Sequence, residues 1–391
     1  TFEPAGTCLI NAAFRGNPND SNSFRWKGNV SLTDVSLKPP DGIKPVNGLT
    51  GKAVFRGNRL ETSRFHARIG TSAISGKCSI DDFRNPQVAC QFDSALFRAE
   101  DAGWRSPDGA VNFRDVKGQV TLAGKNIRVD KLALRLGKSG FNLSGNIRGN
   151  ADREITLDVH SQYIDFADIA RLATLQSSAP KNQSSTRFDL SAVLQADAGA
   201  AAGVDFRKLN TEFRFTGETL NIKSLEAGVF DGKIKAGGKI DIQADGSNRY
   251  AANFIIDRVS LAKIQEFLDV KDRLITGNLS LTGEVNAAGR NADDWKKTAT
   301  GVFQVRAEKG VLKKFSILAK MFSLLNVLQL AKLQLPDMAE GGMPYDAITG
   351  KLSLQDGVLS SEDFFVDSNA MEISAAGKVN LPKEELDATV G

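Results

Sequence analysis

The side chains able to do chemistry are few and scattered. Two histidines, His66 and His160, lie far apart in strand-like stretches, so they offer no shared base or metal site. Acidic pairs occur at Asp81-Asp82 and Asp293-Asp294. The first stands at a turn and the second at a helix start, where carboxylates ordinarily cap backbone amides in water. There is no Gly-rich phosphate loop, no Cys/His ligand spacing and no nucleophile motif. The expectation is a protein that is not an enzyme and needs no cofactor or metal. The one covalent option lies with cysteine: Cys8, Cys78 and Cys90. Cys78 and Cys90 flank a turn at 82–86, symmetric about Arg84, so antiparallel pairing would set them opposite each other. A cross-strand disulfide in an oxidising compartment is one reading. Two free thiols on an apolar face is the other.

Charge points away from nucleic acid. There are 50 basic and 46 acidic residues in 391, a net charge of +4, with the signs interleaved and no Lys/Arg run longer than two. That is a solvated mixed-charge face. The chain has no initial Met, no signal peptide and no visible membrane span, and it stops inside a strand pattern. We read it as a piece of a longer protein, whose location its own ends do not report.

The elements that position these residues repeat. An apolar-Thr/Lys/Asn-Gly/Thr opening, three strands separated by turns, and a closing Gly recur four times. The copies run from Leu49-Thr50-Gly51 to Gly76, Val116-Lys117-Gly118 to Gly145, Leu209-Asn210-Thr211 to Gly238, and Ile348-Thr349-Gly350 to Gly377. From the third opening residue to the closing Gly the spacings are 25, 27, 27 and 27 residues. A fixed internal period signals a stacked architecture.

Within the second copy, Val120 and Leu122 alternate with polar neighbours. Ile127 and Val129 follow a Gly124-Lys125-Asn126 turn, and Leu132, Leu134 and Leu136 follow Asp130-Lys131. Phe141, Leu143 and Ile147, then Ile155, Leu157 and Val159, continue the pattern. The third copy supplies Phe213, Phe215, Leu220, Ile222, Ile234, Ile240, Phe254 and Ile256, and the last supplies Leu352, Leu354, Phe364 and Ile373. Period-two alternation between turns makes half-buried strands with one oily and one wet face. About twenty such strands are too many for one sandwich. The expected fold is mainly β: an elongated, strongly curved antiparallel meander forming a repeating, taco-like β-groove, with these residues as its apolar lining.

Short helices are expected at Asp165–Gln176, Ser260–Val270 and Asn291–Thr298, and loose loops at Ser177–Thr186 and Lys38–Asn47. From Val311 to Leu335 the strand pattern stops, and a Leu/Ala/Met/Lys-rich apolar helix is favoured, carrying Phe315, Leu318, Phe322, Leu325 and Leu328. Polar residues punctuate it too often for a membrane span. A plug in the sheet's own trough and a membrane-surface or lid element are both open readings. The blocks divide as 1–48, 49–176, 177–299 and 300–391.

The stretch Tyr345-Asp346-Ala347-Ile348-Thr349-Gly350-Lys351-Leu352-Ser353-Leu354, then Asp356-Gly357-Val358-Leu359, then Ala376-Gly377-Lys378-Val379-Asn380-Leu381, resembles the C-terminal region of AsmA-like proteins, the group related to YhdP and TamB. The oily segment before it and the Leu49–Ile80 block are similar to that family's pattern as well. The resemblance implies a repeating β-groove in the Gram-negative periplasm. It implies an inner-membrane anchor through an N-terminal segment, which this chain lacks, and phospholipid carried toward the outer membrane. The implied partners are phospholipid or another acyl lipid, the membranes at either end of the full-length protein, and a periplasmic or outer-membrane protein. No nucleic acid is among them. The alternatives are a TamB-like assembly factor for outer-membrane barrels, whose sheet edge pairs with client strands, an outer-membrane barrel itself, and a scaffold whose trough is filled by its own side chains. Scarce Tyr and Trp, three of each against 23 Phe, count against barrel girdles.

Overall fold

The computed structural model describes residues 5–17, 25–39, 42–149, 153–177, 188–270, 274–313, 342–369, 371–383 and 385–390. The fold is mostly β, with 72% of residues in strands, and it divides into two compact units, Thr1–Ala202 and Gly203–Gly391.

The first unit contains β1 (Ala5–Arg15), β2 (Arg25–Leu37), β3 (Val46–Arg56), β4 (Arg59–Thr62), β5 (Phe65–Ile69), β6 (Ser72–Asp81), β7 (Gln87–Arg98), β8 (Trp104–Arg105), β9 (Asn112–Ala123), β10 (Asn126–Leu136), β11 (Ser139–Arg148), β12 (Arg153–Asp165), α1 (Phe166–Ala173), β13 (Gln176–Ser177) and β14 (Phe188–Ala201). Successive long strands pair antiparallel from β1 to β12. The meander then departs from the sequence expectation: β14 lies parallel to β12, with Ile155 opposite Leu190 and Val159 opposite Leu194. A parallel neighbour needs a crossover longer than a hairpin. The chain between them contains α1 and β13, and β13 pairs with the short β8.

The second unit contains β15 (Val204–Phe215), β16 (Thr219–Val229), β17 (Gly232–Asp241), β18 (Asn248–Ser260), α2 (Leu261–Phe267), β19 (Asn278–Gly289), α3 (Ala292–Thr298), β20 (Thr300–Leu312), β21 (Met343–Gln355), β22 (Val358–Asp367), β23 (Glu372–Asn380) and β24 (Glu385–Val390). Each strand pairs antiparallel with the next. Val311 and Leu312, taken from sequence as the start of the apolar helix, end β20 instead, where Val311 faces Pro344 and Leu312 faces Met343. The rest of that expected helix, with Phe315, Leu318, Phe322, Leu325 and Leu328, lies outside the described residues. So does 178–187, most of the expected loose loop.

The three helices begin at side chains that cap them. Asp165 accepts from the Ala167 amide, Ser260 from Lys263, and Asn291 from Asp293 and Asp294. Each oxygen satisfies amides that the first helical turn leaves free.

The sequence repeat proves to be a repeat of bulges. In β10 the register runs from Val129 opposite Gly145 to Leu132 opposite Leu143, three residues against two. The same step occurs in β16, Ile222 to Leu225 against Gly238 to Ala236, and in β22, Ser361 to Phe364 against Gly377 to Ala375. Asp130-Lys131 therefore ends no strand. Its two residues stand against the single Ser144, one more than the ladder holds, and lie within one strand. The first copy breaks at the same place, between β4 and β5, where Phe65 faces Gly76. The bulge side chains also cap the amide after the opening glycine. Lys52 N donates to Ser63 Oγ at 3.2 Å and Lys351 N to Asp363 Oδ1 at 2.8 Å.

A second bulge precedes the opening tripeptide. Gly48, Asp115 and Lys208 take φ of 64, 53 and 53° just before Leu49, Val116 and Leu209, and the register slips at each. Bulges bend a strand and raise its twist. The closing glycines have a matching reason. A Cβ on Gly76, Gly145 or Gly238 would stand 2.4, 2.0 or 2.6 Å from the carbonyl oxygen of Gln91, Thr156 or Ala251. The repeat thus encodes where each three-strand block curves.

Candidate functional site

Residues directly opposite across a β-ladder share a face. In the first unit, Phe55, Leu60, Ile80, Val88, Leu122, Ile127, Ile147, Ile155 and Leu190 stand opposite one another in turn, across nine strands. The next rung, deeper along the strands, is Cys78, Cys90, Val120, Val129, Gly145, Leu157 and Ala192. The third is Phe65, Gly76, Phe92, Gly118, Leu132, Leu143, Val159 and Leu194. Leu134 pairs with Phe141 beyond it. Between the first two rungs the opposite face reads Asn29, Val54, Glu61, Ser79, Ala89, Thr121, Arg128, Asn146, Thr156 and Ser191.

The second unit repeats the arrangement. Phe213, Ile222, Gly238, Ala252, Val285, Gly301, Leu354, Leu359 and Val379 form one rung. Phe215, Leu220, Ile240 and Tyr250 form another. Beside them run Leu225, Ala236, Phe254, Gly283, Phe303 and Leu352, then Ile234, Ile256, Leu281, Val305 and Gly350. The order is apolar along each rung and polar between rungs, so oily rails run across the strands.

Most of these side chains are half-buried, while on the opposite face Asn29, Val54, Glu61, Arg128, Thr156 and Ser191 are exposed. Leu122 is 37% exposed. Ile373 is half-buried, opposite Val366. Five expected lining residues instead pack into protein: Leu136, Phe141, Leu352, Leu354 and Phe364 are at most 9% exposed. Phe364 joins a cluster with Leu261, Ile348, Tyr345 and Val366, and Leu354 joins Ala299, Val379 and Leu381. Leu136 and Phe141 flank the Lys138-Ser139 turn, whose amides donate to Asp168 of α1.

Glycines let the aromatic rings lie flat on this floor. A Cβ on Gly118 would fall 2.2 Å from Phe92 Cζ, one on Gly28 2.4 Å from Phe55 Cζ, and one on Gly283 2.4 Å from Phe303 Cδ1. Gly350 lies likewise under Phe364. Ring-over-glycine pairs keep the floor free of protrusions (and explain why the opening motif carries Gly).

One rim of the first unit is clasped by buried carboxylates, which alternation alone does not reveal. Asp101 accepts from the amides and hydroxyls of Thr71 and Ser72 at 2.7 to 3.1 Å. Lys44 Nζ adds an ion pair at 2.8 Å. Asp168 accepts from the Lys138 and Ser139 amides and the Ser139 hydroxyl at 2.8 to 3.1 Å. Burial pushes the Asp101 carboxyl up, but hydrogen bonds from Lys44, Ser72 and Thr71 outweigh it and hold it at about 2. In the second unit Gln265 does similar work with its amide, bonded to the carbonyls of Leu261 and Ile275 and the amides of Leu274 and Ile275. A Gly-x-Ser turn with Asp some thirty residues on was the signal available in sequence.

Cys78 and Cys90 face each other across β6 and β7, with Cα atoms 4.2 Å apart, and are joined by a disulfide. Cys8 is free and exposed. The nearest approach to a catalytic constellation is the row His66, Ser75 and Asp93 on the wet face. Ser75 Oγ donates to Asp93 Oδ2 at 2.9 Å, so its proton is held by the carboxylate and not by the imidazole a nucleophile needs. Among the described residues no group of His, Cys, Asp and Glu could hold a metal, and no helix is long and apolar enough to cross a membrane.

Curved single-layer sheets with apolar rails on one face define a β-groove protein. Residues 109–391 match the family model described as YhdP protein, and the chain belongs to that family. The family falls in the AsmA-like, TamB-related group and is one of bridge-like lipid transport, generally associated with the cell envelope. No curated protein and no solved structure matches the chain.

Proposed function

We propose that this chain is a periplasmic bridge segment that shields phospholipid acyl chains on its apolar rails for passage between inner and outer membranes. It acts by binding and carries out no catalysis. Its partners are acyl lipid, the two membranes reached by the full-length protein, and an envelope protein at one end. The observation that carries the reading is the direct cross-strand continuity of apolar residues within each unit.

Exposing a sixteen-carbon tail to water costs on the order of 12 kcal/mol, at about 0.8 kcal/mol per methylene. A continuous apolar strip removes most of that barrier along its length. It needs no reactive group. Similar rungs repeated many times also avoid a tight-binding trap.

Mass spectrometry of lipid co-purifying with the chain tests this. Leu134→Asp and Ile222→Arg, both on rungs, should lose bound lipid. Matched changes at Arg135 and Lys223, which are exposed on the wet face, should not. Equal lipid loss from both sets would defeat the reading.

A further inference from the structure

A hollow opens on the wet face of the first unit beside the bulge of β10. Two polar rungs border it. Lys77, Gln91, Gln119 and Lys131 stand opposite one another in turn across β6, β7, β9 and β10. Asp93, Lys117, Ala133 and Asn142 form the next rung, on β7, β9, β10 and β11. The space between them measures about 810 Å³, the size of a small-molecule site. Gly76, Phe92 and Gly118 complete the lining. The Phe92 ring covers the side of Gly118 where a Cβ would point, which is the oily face.

The hollow is cationic. Arg64, Lys77, Lys117 and Lys131 line it, against the single carboxylate of Asp93. Arg64 and Ser75 already bind that carboxylate. Other acids close by are taken as well: Asp130 by Arg128 and Thr121, Asp115 by Arg135, Glu61 by Arg59. Asp158, exposed and unpaired, lies across β11 from Lys131 and is not part of the lining. Lys77, Lys117 and Lys131 are exposed, and among the described residues no side chain or carbonyl holds their ammonium groups. The side-chain amides of Gln91, Gln119 and Asn142 are free in the same sense.

A second observation singles out Lys131. In the last block the matching residue is Asp363, thirteen residues after Gly350 as Lys131 is after Gly118. Asp363 caps the Lys351 amide, and Ser63 caps the corresponding Lys52 amide in the first block. A lysine has no acceptor and cannot do this. The second block therefore lacks that cap and carries a cation at the hollow instead. The matching hollow of the last block is lined by Glu284, Glu362, Asp363 and Lys351, so its sign is reversed. The charge of each hollow is set by its own block and does not follow from the fold.

We propose that the hollow of the first unit binds a small soluble anion bearing several phosphate groups. An ammonium on a flexible four-carbon stem meets phosphate as a point charge. A carboxylate ligand is better matched by a guanidinium fork, and the one at hand, Arg64, is occupied by Asp93. The free side-chain amides supply neutral donors for the remaining oxygens. No aromatic ring among the lining residues faces the hollow for a base to stack on. The site stands on the face opposite the rails and is independent of any lipid held there.

Isothermal titration calorimetry of the full chain with inorganic tripolyphosphate tests this. The unaltered chain should bind it saturably, and more weakly as salt is raised. With Lys77, Lys117 and Lys131 all changed to Gln, binding should fall about tenfold or more, at up to about fivefold per exposed charge pair. Changing Lys223, Lys233 and Lys235 of the second unit to Gln, an equal change in net charge, should leave it as it was. Lys131→Asp, which installs the residue the last block folds with, should weaken binding without lowering the melting temperature. Absence of binding to the unaltered chain overturns the proposal. Equal loss in the two triple variants also overturns it, since net charge alone would then act. Attachment to phosphatidylglycerol vesicles that depends on the same three lysines, without binding of tripolyphosphate, overturns it in favour of a membrane surface.

Discussion

Asp101 and Asp168 are the same residue in two copies of one block. They stand 67 residues apart, as do Ser72 and Ser139, and as do the opening glycines Gly51 and Gly118. Each carboxylate reaches back to a hairpin turn and collects its two amides and a serine hydroxyl. A carboxylate oxygen that collects several hydrogen bonds away from water fixes the turn that donates them. The groove of the first unit is therefore pinned along one rim at matching points in two successive blocks.

Acid should release the first pin. The Asp101 carboxyl lies at about 2 in the folded chain against 3.8 ordinarily. A depressed folded value adds stability that is present above the unfolded value and is lost as pH falls through the folded one. The loss should run from about pH 4 to about pH 2 and amount to about 2 kcal/mol. Urea denaturation of the first unit across that range checks it. Asp101→Asn should lower stability at neutral pH and flatten the acid dependence.

The closing glycines should resist even a methyl group. Gly145→Ala places Cβ 2.0 Å from the Thr156 carbonyl oxygen, and overpacking of this kind costs about 1–3 kcal/mol. Gly140, with nothing within 4 Å of its Cβ position, is the control, and Gly140→Ala should be neutral or slightly stabilising. Thermal melts of the two variants should separate clearly.

Thiol labelling should find Cys8 alone in the untreated protein and all three cysteines after reduction and unfolding. The Cys78–Cys90 bridge closes a short loop, 12 residues apart in sequence. Replacing both by Ser should cost the first unit about 2–3 kcal/mol, read as a lower denaturation midpoint. Labelling of Cys78 in the folded, unreduced chain would contradict the bridge.

Tyr345 should resist ionisation. It is buried, its hydroxyl donates to the Thr276 carbonyl, and burial pushes its phenol well above the usual value of 10. In an alkaline titration followed by tyrosinate absorbance, its step should come above the ordinary range. Tyr345→Phe should remove that step, along with the hydrogen bond, at a cost of about 1 kcal/mol.

Much of this could be read from residue order. Alternation in Ile127–Leu136 and Ile155–Val159 gave strand, face and turn, because a strand's side-chain period is two and water sorts the faces. The helix starts were legible because Asp165, Ser260 and Asn291 can each cap freed amides. Less legible was Asp130-Lys131. A two-residue polar step between apolar runs looks the same whether the chain turns back or merely bulges, and only pairing with Gly145 and Leu143 distinguishes them. Leu136, Phe141 and Leu354 share the alternation of the rails, yet they are buried, because burial depends on which helix or strand end comes to rest on them.

The sequence alone determined the strands, their two unlike faces and the period of the blocks, since these follow from local spacing and the exclusion of apolar groups from water. Tertiary structure decided the parallel seating of β14 beside β12, the bulges that curve each block and the clasped rim. Those depend on partners tens of residues away, which local spacing does not specify.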